Sequence, residues 1–368
     1  MVAVGAPLQC RGRFVVPAVV VGAVLASGCA RFEDRSSAPT TAAPPSSTAV
    51  SVPADRPEVG VVDGSTTTTS VAPEVTPIGP APGPVDAPDS SGPGTVPPVG
   101  SAPVCTGEPS RPTTHQYADR PGVDPDLTSV DVHRPTGCGT VPVIVWVHGG
   151  GWRRGDKASG FVERKAAWAA SLGAALVSVN YRLSTPESGV VWPDHGDDVA
   201  AAVAWLQREG PGLGLDPTSV TLLGHSAGAH LVAIVGTDPT LLRSAGADPA
   251  AVSCVVPLDF SFDLAEAPAE EMIEDAFGDD PAVIAAASPN VAVERNGPPS
   301  SRFLVGTRGG AGRVADARAF VDQIVVAGGS ARLLVANPYS HNQISSQLGV
   351  PGESIVTPPV TGFVRSCL

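Results

Sequence analysis

The apolar positions of this chain fall into two textures that meet near Cys105. Beyond it, short apolar runs alternate with longer stretches in which apolar residues recur at helical spacing. "LTSVDVH" (127–133) alternates apolar and polar residues like a half-buried strand. "VPVIVWVH" (141–148), "AALVSVNY" (174–181), "SVTLLG" (219–224), "SCVVPLD" (253–259), "RFLVG" (302–306) and "ARLLVA" (331–336) are near-continuous runs, suited to strands buried on both faces. Between them, "GFVERKAAWAASLG" and "VADARAFVDQIVVAGG" read as helices. So do "DDVAAAVAWLQRE", with Val199, Val203 and Leu206 on one face, and "AGAHLVAIVG". This alternation predicts one α/β domain over residues 104 to 368, a mostly parallel central sheet covered by helices on both faces.

Upstream of that domain the texture has no period. Residues 29 to 103 are mostly Pro, Ser, Thr, Ala and Val, as in "TTAAPPSSTAVSVPADRP". Such a segment cannot bury enough apolar area to offset its ordering entropy, so it reads as a disordered tether. A flexible chain of that length reaches roughly 50 Å. Residues 1 to 28 read as a signal peptide: Arg11 and Arg13 precede the apolar "FVVPAVVVGAVLA", which contains Pro17 and is shorter than the roughly 20 residues of a spanning helix. The peptide ends in "LASGC", which resembles the lipobox of bacterial lipoproteins, with Ala26 where that motif more often has Leu. The expectation is an exported cell-envelope protein, anchored to the membrane only through a lipid on Cys29, or secreted.

Composition adds two constraints. With a formal charge of -13 over 368 residues, the chain has no means of neutralising a row of phosphates, which argues against nucleic acid as a partner. Export also bears on the cysteines: Cys105, Cys138, Cys254 and Cys367 remain after Cys10 and Cys29, an even set that allows three pairings in an oxidising compartment. Cys105 and Cys138 flank one short strand-rich stretch, which favours that pair and leaves Cys254 with Cys367. No CxxC or Cys/His cluster points to a metal.

The candidate chemistry begins at "LLGHSAGAH" (222–230). A strand running through G-x-S-x-G into a helix is a nucleophile elbow, with Gly224 and Gly228 permitting a tight turn and Ser226 exposed at a helix N-terminus. G-x-S-x-G alone is weak in a chain with 41 glycines. "VIVWVHGGGWRRGDK" (143–157) strengthens it: three glycines after a buried strand let the N–H groups of Gly149 and Gly150, with that of Ala227, face a developing oxyanion.

HGGGW, then "NYRLS", then a helix opening with "DD" and "GHSAGAH" resemble the carboxylesterase branch of the α/β-hydrolase superfamily. The form "GGGWRRGDK" is most similar to its feruloyl/acetylxylan-esterase-like and kynurenine-formamidase-like members. The resemblance covers most of residues 140 to 341. It implies an α/β-hydrolase fold and a serine hydrolase that cleaves carboxylic esters without metal or cofactor.

The serine requires a base, and histidine is the side chain that accepts a proton near neutral pH. His148 belongs to the glycine motif and is expected to brace it. His225 and His230 lie beside and just past the elbow, where helix geometry aims neither at the serine oxygen. His115, His133 and His195 precede the elbow, against the chain order Ser, acid, His of this fold. His341, in "NPYSHNQ", stands at the family's position.

The acid departs from the family. The usual pattern after the next-to-last strand is close to G-T-x-D, and here it reads "GTRGGAGRV", with Gly309 in place of the aspartate. Asp316 falls inside a helix, and Asp263 follows its strand by several residues, suited to fixing a turn. Asp259 ends the run "CVVPL" on the strand after the nucleophile helix, where pancreatic-type lipases resemble this arrangement in placing their acid. It stands as the candidate acid, against the alternative of a turn aspartate capping its own loop. Residues 260 to 300 are expected to form a short acidic cap or a solvated insert. The expected substrate is a small-molecule or polysaccharide ester. Two alternatives remain: an amidase or formamidase with the same apparatus, or a turnover-impaired envelope binding protein, for which Gly309 is the main support.

Overall fold

The computed structural model describes Cys105 and residues 107–265, 271–337 and 339–368. Cys29 and the stretches read from sequence as a signal peptide (1 to 28) and a tether (29 to 103) lie outside the described residues.

Eight strands form one sheet: β1 (Thr113–Gln116), β2 (Ser129–His133), β3 (Val141–Val147), β4 (Ala175–Val179), β5 (Leu215–His225), β6 (Val252–Leu258), β7 (Arg302–Thr307) and β8 (Ser330–Val335). Their order is β1-β2-β4-β3-β5-β6-β7-β8. β1 and β2 run antiparallel to their neighbours, and every other pairing is parallel. This is an α/β fold with a mostly parallel sheet of the α/β-hydrolase type. Sequence patterning missed β1, a short polar strand at one edge of the sheet. An edge strand with one paired side needs no apolar run.

The helices are α1 (Val162–Ser171), α2 (Asp194–Glu209), α3 (Ala227–Thr237), α4 (Pro239–Ser244), α5 (Glu271–Phe277), α6 (Pro281–Ala287), α7 (Pro289–Asn296), α8 (Ala311–Val326), α9 (Gln343–Ser346) and α10 (Thr357–Arg365). The period of two along β3 separates the two cores. Val143, Val145 and Val147 pack with α2, α3 and α8. Ile144 and Trp146 pack with α1, α9 and α10 on the other face. Burial on both faces is why the run at 141–148 shows no polar alternation. The insert between β6 and β7 folds as α5 to α7, helices that its mixed composition did not announce.

Arg182, from "NYRLS", fixes the start of α2 with bonds to Asp194 Oδ1 (2.8 Å) and to both oxygens of Asp198 (2.7 and 2.9 Å). Disulfides join Cys105 to Cys138 and Cys254 to Cys367, with Cα atoms 5.6 and 6.1 Å apart. The second ties β6 to the residue before the C-terminus.

Register places the site. His225 pairs with Leu258, and Leu258 with Gly306. Ser226, Asp259 and Thr307 therefore leave three adjacent strands side by side at their carboxyl ends, about 5 Å apart between neighbours. In open α/β sheets that edge is where ligands bind.

Candidate active site

Ser226 sits between β5 and α3 at φ 55° and ψ -124°, a conformation that forces the chain to reverse within one residue. The flanking glycines are a steric necessity: a Cβ on Gly224 would lie 2.2 Å from the Gly228 carbonyl oxygen, and one on Gly228 would lie 2.2 Å from that of Val147. The elbow is pressed against the end of β3, so the glycine loop that follows β3 lies beside the serine. A Cβ on Gly149 would come 3.0 Å from Ser226 Cβ. Among the described residues, no acceptor takes the N–H of Gly149 or Gly150. Ala227 opens α3, where the first N–H groups have no intrahelical partner. Of the three backbone donors assigned from sequence, Gly149 and Ala227 thus lie beside Ser226, next to the positive end of α3, and Gly150 follows Gly149 in the same loop.

His148 braces that loop, its ring Nδ1–H donating to the Gly149 carbonyl at 2.9 Å. Its ring stacks on Tyr181 at 4.4 Å, and its carbonyl accepts from the Tyr181 hydroxyl at 3.1 Å. Burial holds the His148 imidazole below its usual pKa, so it stays neutral.

His341 lies on the loop between β8 and α9. The Ser226 hydroxyl donates to its Nε2 at 2.9 Å, and its Nδ1–H donates to Asp259 Oδ2 at 2.6 Å. With Nδ1 committed to a carboxylate, the lone pair of Nε2 faces the serine, the tautomer a general base needs. The loop is fixed from several sides: the His341 carbonyl accepts from His225 Nε2 at 2.7 Å, Arg164 Nη1 donates to the Ser346 carbonyl at 2.6 Å, and Lys165 Nζ donates to that of Ser345 at 3.2 Å.

Asp259 follows β6 directly, at φ 60°, with its side chain fully buried. Burial alone would push its carboxyl up. The hydrogen bonds from His341 and from Arg308 outweigh that and hold it below the ordinary carboxylate value, so it is ionised. Arg308 Nε donates to Oδ2 at 2.7 Å, and Arg313 Nη1 lies 3.6 Å from Oδ1. Sequence reasoning found neither arginine: Arg308 stands in "GTRGG", but nothing in that string says which carboxylate it meets.

His225 shows a further contact that sequence did not suggest. Its ring lies 4.6 Å from that of His341, and burial, then the neighbouring His341, lowers its pKa to about 4. It therefore adds a hydrogen bond to the base loop without adding a charge.

The remaining candidates lie elsewhere. Asp316 is in α8. Asp263 accepts from Asn290 Nδ2 at 2.8 Å and from the Ala265 N–H, tying the entry of the insert to α7. His195 bonds Ser184 Oγ at 2.8 Å, and His230 bonds the Ala287 carbonyl at 2.8 Å. The insert itself meets the glycine loop. A Cβ on Gly151 would touch Met272 Sδ at 2.9 Å, and Arg153 bridges to Glu271 and Asp275 at 3.2 and 3.0 Å. Trp152, directly after the glycines, packs edge-on to Phe277 and Phe260.

Known proteins share this architecture. The BD-FAE family model matches residues 130–305, a span that includes Ser226, the glycine loop and Asp259 and ends before Arg308 and His341. The probable carboxylic ester hydrolase LipM of Mycobacterium tuberculosis is 37% identical over 101 residues, which are 27% of this chain and 22% of that protein. Esterase LipC of the same organism is 30% identical over 248 residues, 62% of this chain and 59% of that protein. The chain thus spans less than two thirds of the length of these relatives. Among solved structures, esterase B from Lactobacillus rhamnosus superposes with a TM-score of 0.56 at 21% identity, covering 70% of this chain and 85% of that one. A carbohydrate esterase from gut microbiota, in truncated form, superposes with a TM-score of 0.58 at 18% identity, covering 70% and 96%. The fold is that of the α/β-hydrolases, and the chain is similar to carboxylesterases that share it.

Proposed function

We propose that this protein is a serine esterase that cleaves carboxylic esters through an acyl-enzyme. The observation that carries this reading is the unbroken relay from the Ser226 hydroxyl through His341 to Asp259, at 2.9 and 2.6 Å. Ser226 Oγ attacks the acyl carbon as His341 Nε2 takes its proton, and the N–H groups of Gly149, Gly150 and Ala227 receive the developing oxyanion. Collapse of the tetrahedral intermediate breaks the bond to the alkoxy oxygen, which leaves as the alcohol with the proton from His341. Water then enters by the same route and releases the acid. Asp259 holds the imidazole tautomer and stabilises the imidazolium. The turnover-impaired alternative rested on Gly309, and a carboxylate against His341 from the neighbouring strand removes its main support.

The substrate class is an acyl ester of a small alcohol or of a carbohydrate hydroxyl. The carbohydrate reading is supported by the BD-FAE match and by the likeness to a carbohydrate esterase. The protein works outside the cytoplasm, lipidated at Cys29 and held off the membrane by residues 29 to 103; "LASGC" and the two disulfides support this. The test is hydrolysis of p-nitrophenyl acetate by the purified chain without added metal. Ser226→Ala is expected to abolish turnover while the fold stays intact, and persisting turnover in that variant refutes the assignment. Mass spectrometry of the native protein should find the mature N-terminus at a lipidated Cys29; any other N-terminus removes the anchor.

A further inference from the structure

The loop after β7 brings no carboxylate to the site, yet it is not idle there. Its Arg308 donates through Nε to the same oxygen of Asp259 that receives His341 Nδ1. Among the described residues, Oδ1 has no hydrogen bond, and its nearest cation is Arg313 at 3.6 Å. Asp259 is therefore a buried anion held at one oxygen by two donors, on a backbone at φ 60° that few residues other than glycine adopt. The last torsion of an aspartate is broad, so a carboxylate gripped by the imidazole alone can swing about it. A second donor on the same oxygen restricts that swing.

We propose that Arg308 is a positioning residue for the Asp259–His341 pair, fixing the rotation of the carboxylate and setting with its charge how readily the imidazole accepts a proton. The cation beside Asp259 offsets part of the negative field at His341, so its removal favours the imidazolium. The other charged or titratable groups around the pair are His225 at the end of β5, Arg313 on α8 and Lys165 on α1. His225 is kept neutral by burial, and no hydrogen bond from any of the three reaches Oδ2 among the described residues. Arg308 is 24% exposed, so a simple tie between two loops is the competing account. That account affects folding but leaves the protonation of His341 alone.

The kinetic arm rests on the esterase reading, so the test pairs it with a measurement that needs no turnover. Full-length wild type, Arg308→Gln and Arg308→Lys are compared by the pH profile of kcat/KM on p-nitrophenyl acetate and by NMR titration of the His341 ring. Arg308→Gln should lower kcat about tenfold, the scale of a hydrogen bond to a charged group, with KM little changed. It should also move the acidic limb of the profile and the His341 titration to higher pH. Arg308→Lys keeps the charge but not the planar donor, so its titration should match wild type while kcat recovers only in part. An unmoved profile and titration in Arg308→Gln overturn the proposal even if kcat falls. If Arg308→Gln misfolds, Arg308→Lys decides, since full wild-type kcat there overturns the positioning role. A moved NMR titration in a chain that hydrolyses no ester upholds the proposal and refutes the esterase reading instead.

Discussion

Around Ser226 the site is held by backbone and by buried neutral rings. Gly224 and Gly228 let two strand ends and a helix meet within van der Waals contact, and His225 and His230 pack beside and behind them with no charge. Around Asp259, one or two strands away, the site is held by charged side chains: a buried carboxylate between an imidazole and two arginines from different elements. The first arrangement tolerates almost no change of residue, because the space for a Cβ is absent. The second can be relocated, because an ion pair needs only that two side chains reach the same point. Here the carboxylate comes from the end of β6, and the end of β7 contributes the cation.

The sharpest test of that contrast is Asp259→Asn. If the acid is on β6, kcat should fall about 10⁴-fold through the wrong imidazole tautomer, with the fold retained. Steady-state kinetics near wild type would mean that His341 is oriented by something else.

Acid should affect the two sides differently. His225 and His230 are held by burial at about 4, against about 6.5 in an unfolded chain. Stability is therefore full above about pH 6.5 and falls as the pH drops toward 4, because the unfolded state binds the extra protons. Two such groups together give a slope of about 3 kcal/mol per pH unit at the steepest. Asp259, whose carboxyl is held low, adds a loss only below its unfolded value of about 3.9. Thermal melts at pH 7, 5.5 and 4.5 should show a steep drop, and a flat series would contradict neutral buried histidines on the nucleophile side.

A milder break acts on the acid side through its strand. Replacing both Cys254 and Cys367 by alanine should cost about 2–4 kcal/mol of stability. Activity at low temperature should persist, since neither sulfur touches the relay; urea melts and kinetics on one sample check both. The smallest effect is expected at the vacated acid position. Gly309 is at φ 84° with nothing within 4 Å of a Cβ, so Gly309→Ala should cost about 1 kcal/mol from the backbone alone. Turnover should be unchanged, and a large loss of kcat would place chemistry back on the β7 loop.

The same contrast explains what could be read from the sequence. The elbow, the glycine loop and the strands between them are written in local strings, since each position answers to its own neighbours. The run at 141–148 announces β3 because both its faces are buried, and the G-x-S-x-G spacing is legible as a local string although Gly228 also answers to the Val147 carbonyl on β3. His341 was reachable through chain order. Arg308 was not, since its partner is 49 residues away and the contact depends on β6 and β7 pairing in register. Asp259 was visible as a candidate, but the choice between triad acid and turn aspartate turns on where His341 lies in space. The insert helices α5 to α7 were hidden for a related reason: their apolar residues, such as Phe277 and Ala287, face neighbours brought by tertiary packing.

The bond between Cys254 and Cys367 also makes the molecule a lasso. Residues 254 to 367 form a closed covalent ring that carries Asp259, Arg308 and His341, while Ser226 and the glycine loop sit on the open part of the chain. A single cut by a protease between β6 and β7 opens the ring but releases no fragment, and the base stays tethered to the strand that holds its acid. Nicking of the chain and loss of the active site thereby become separate events.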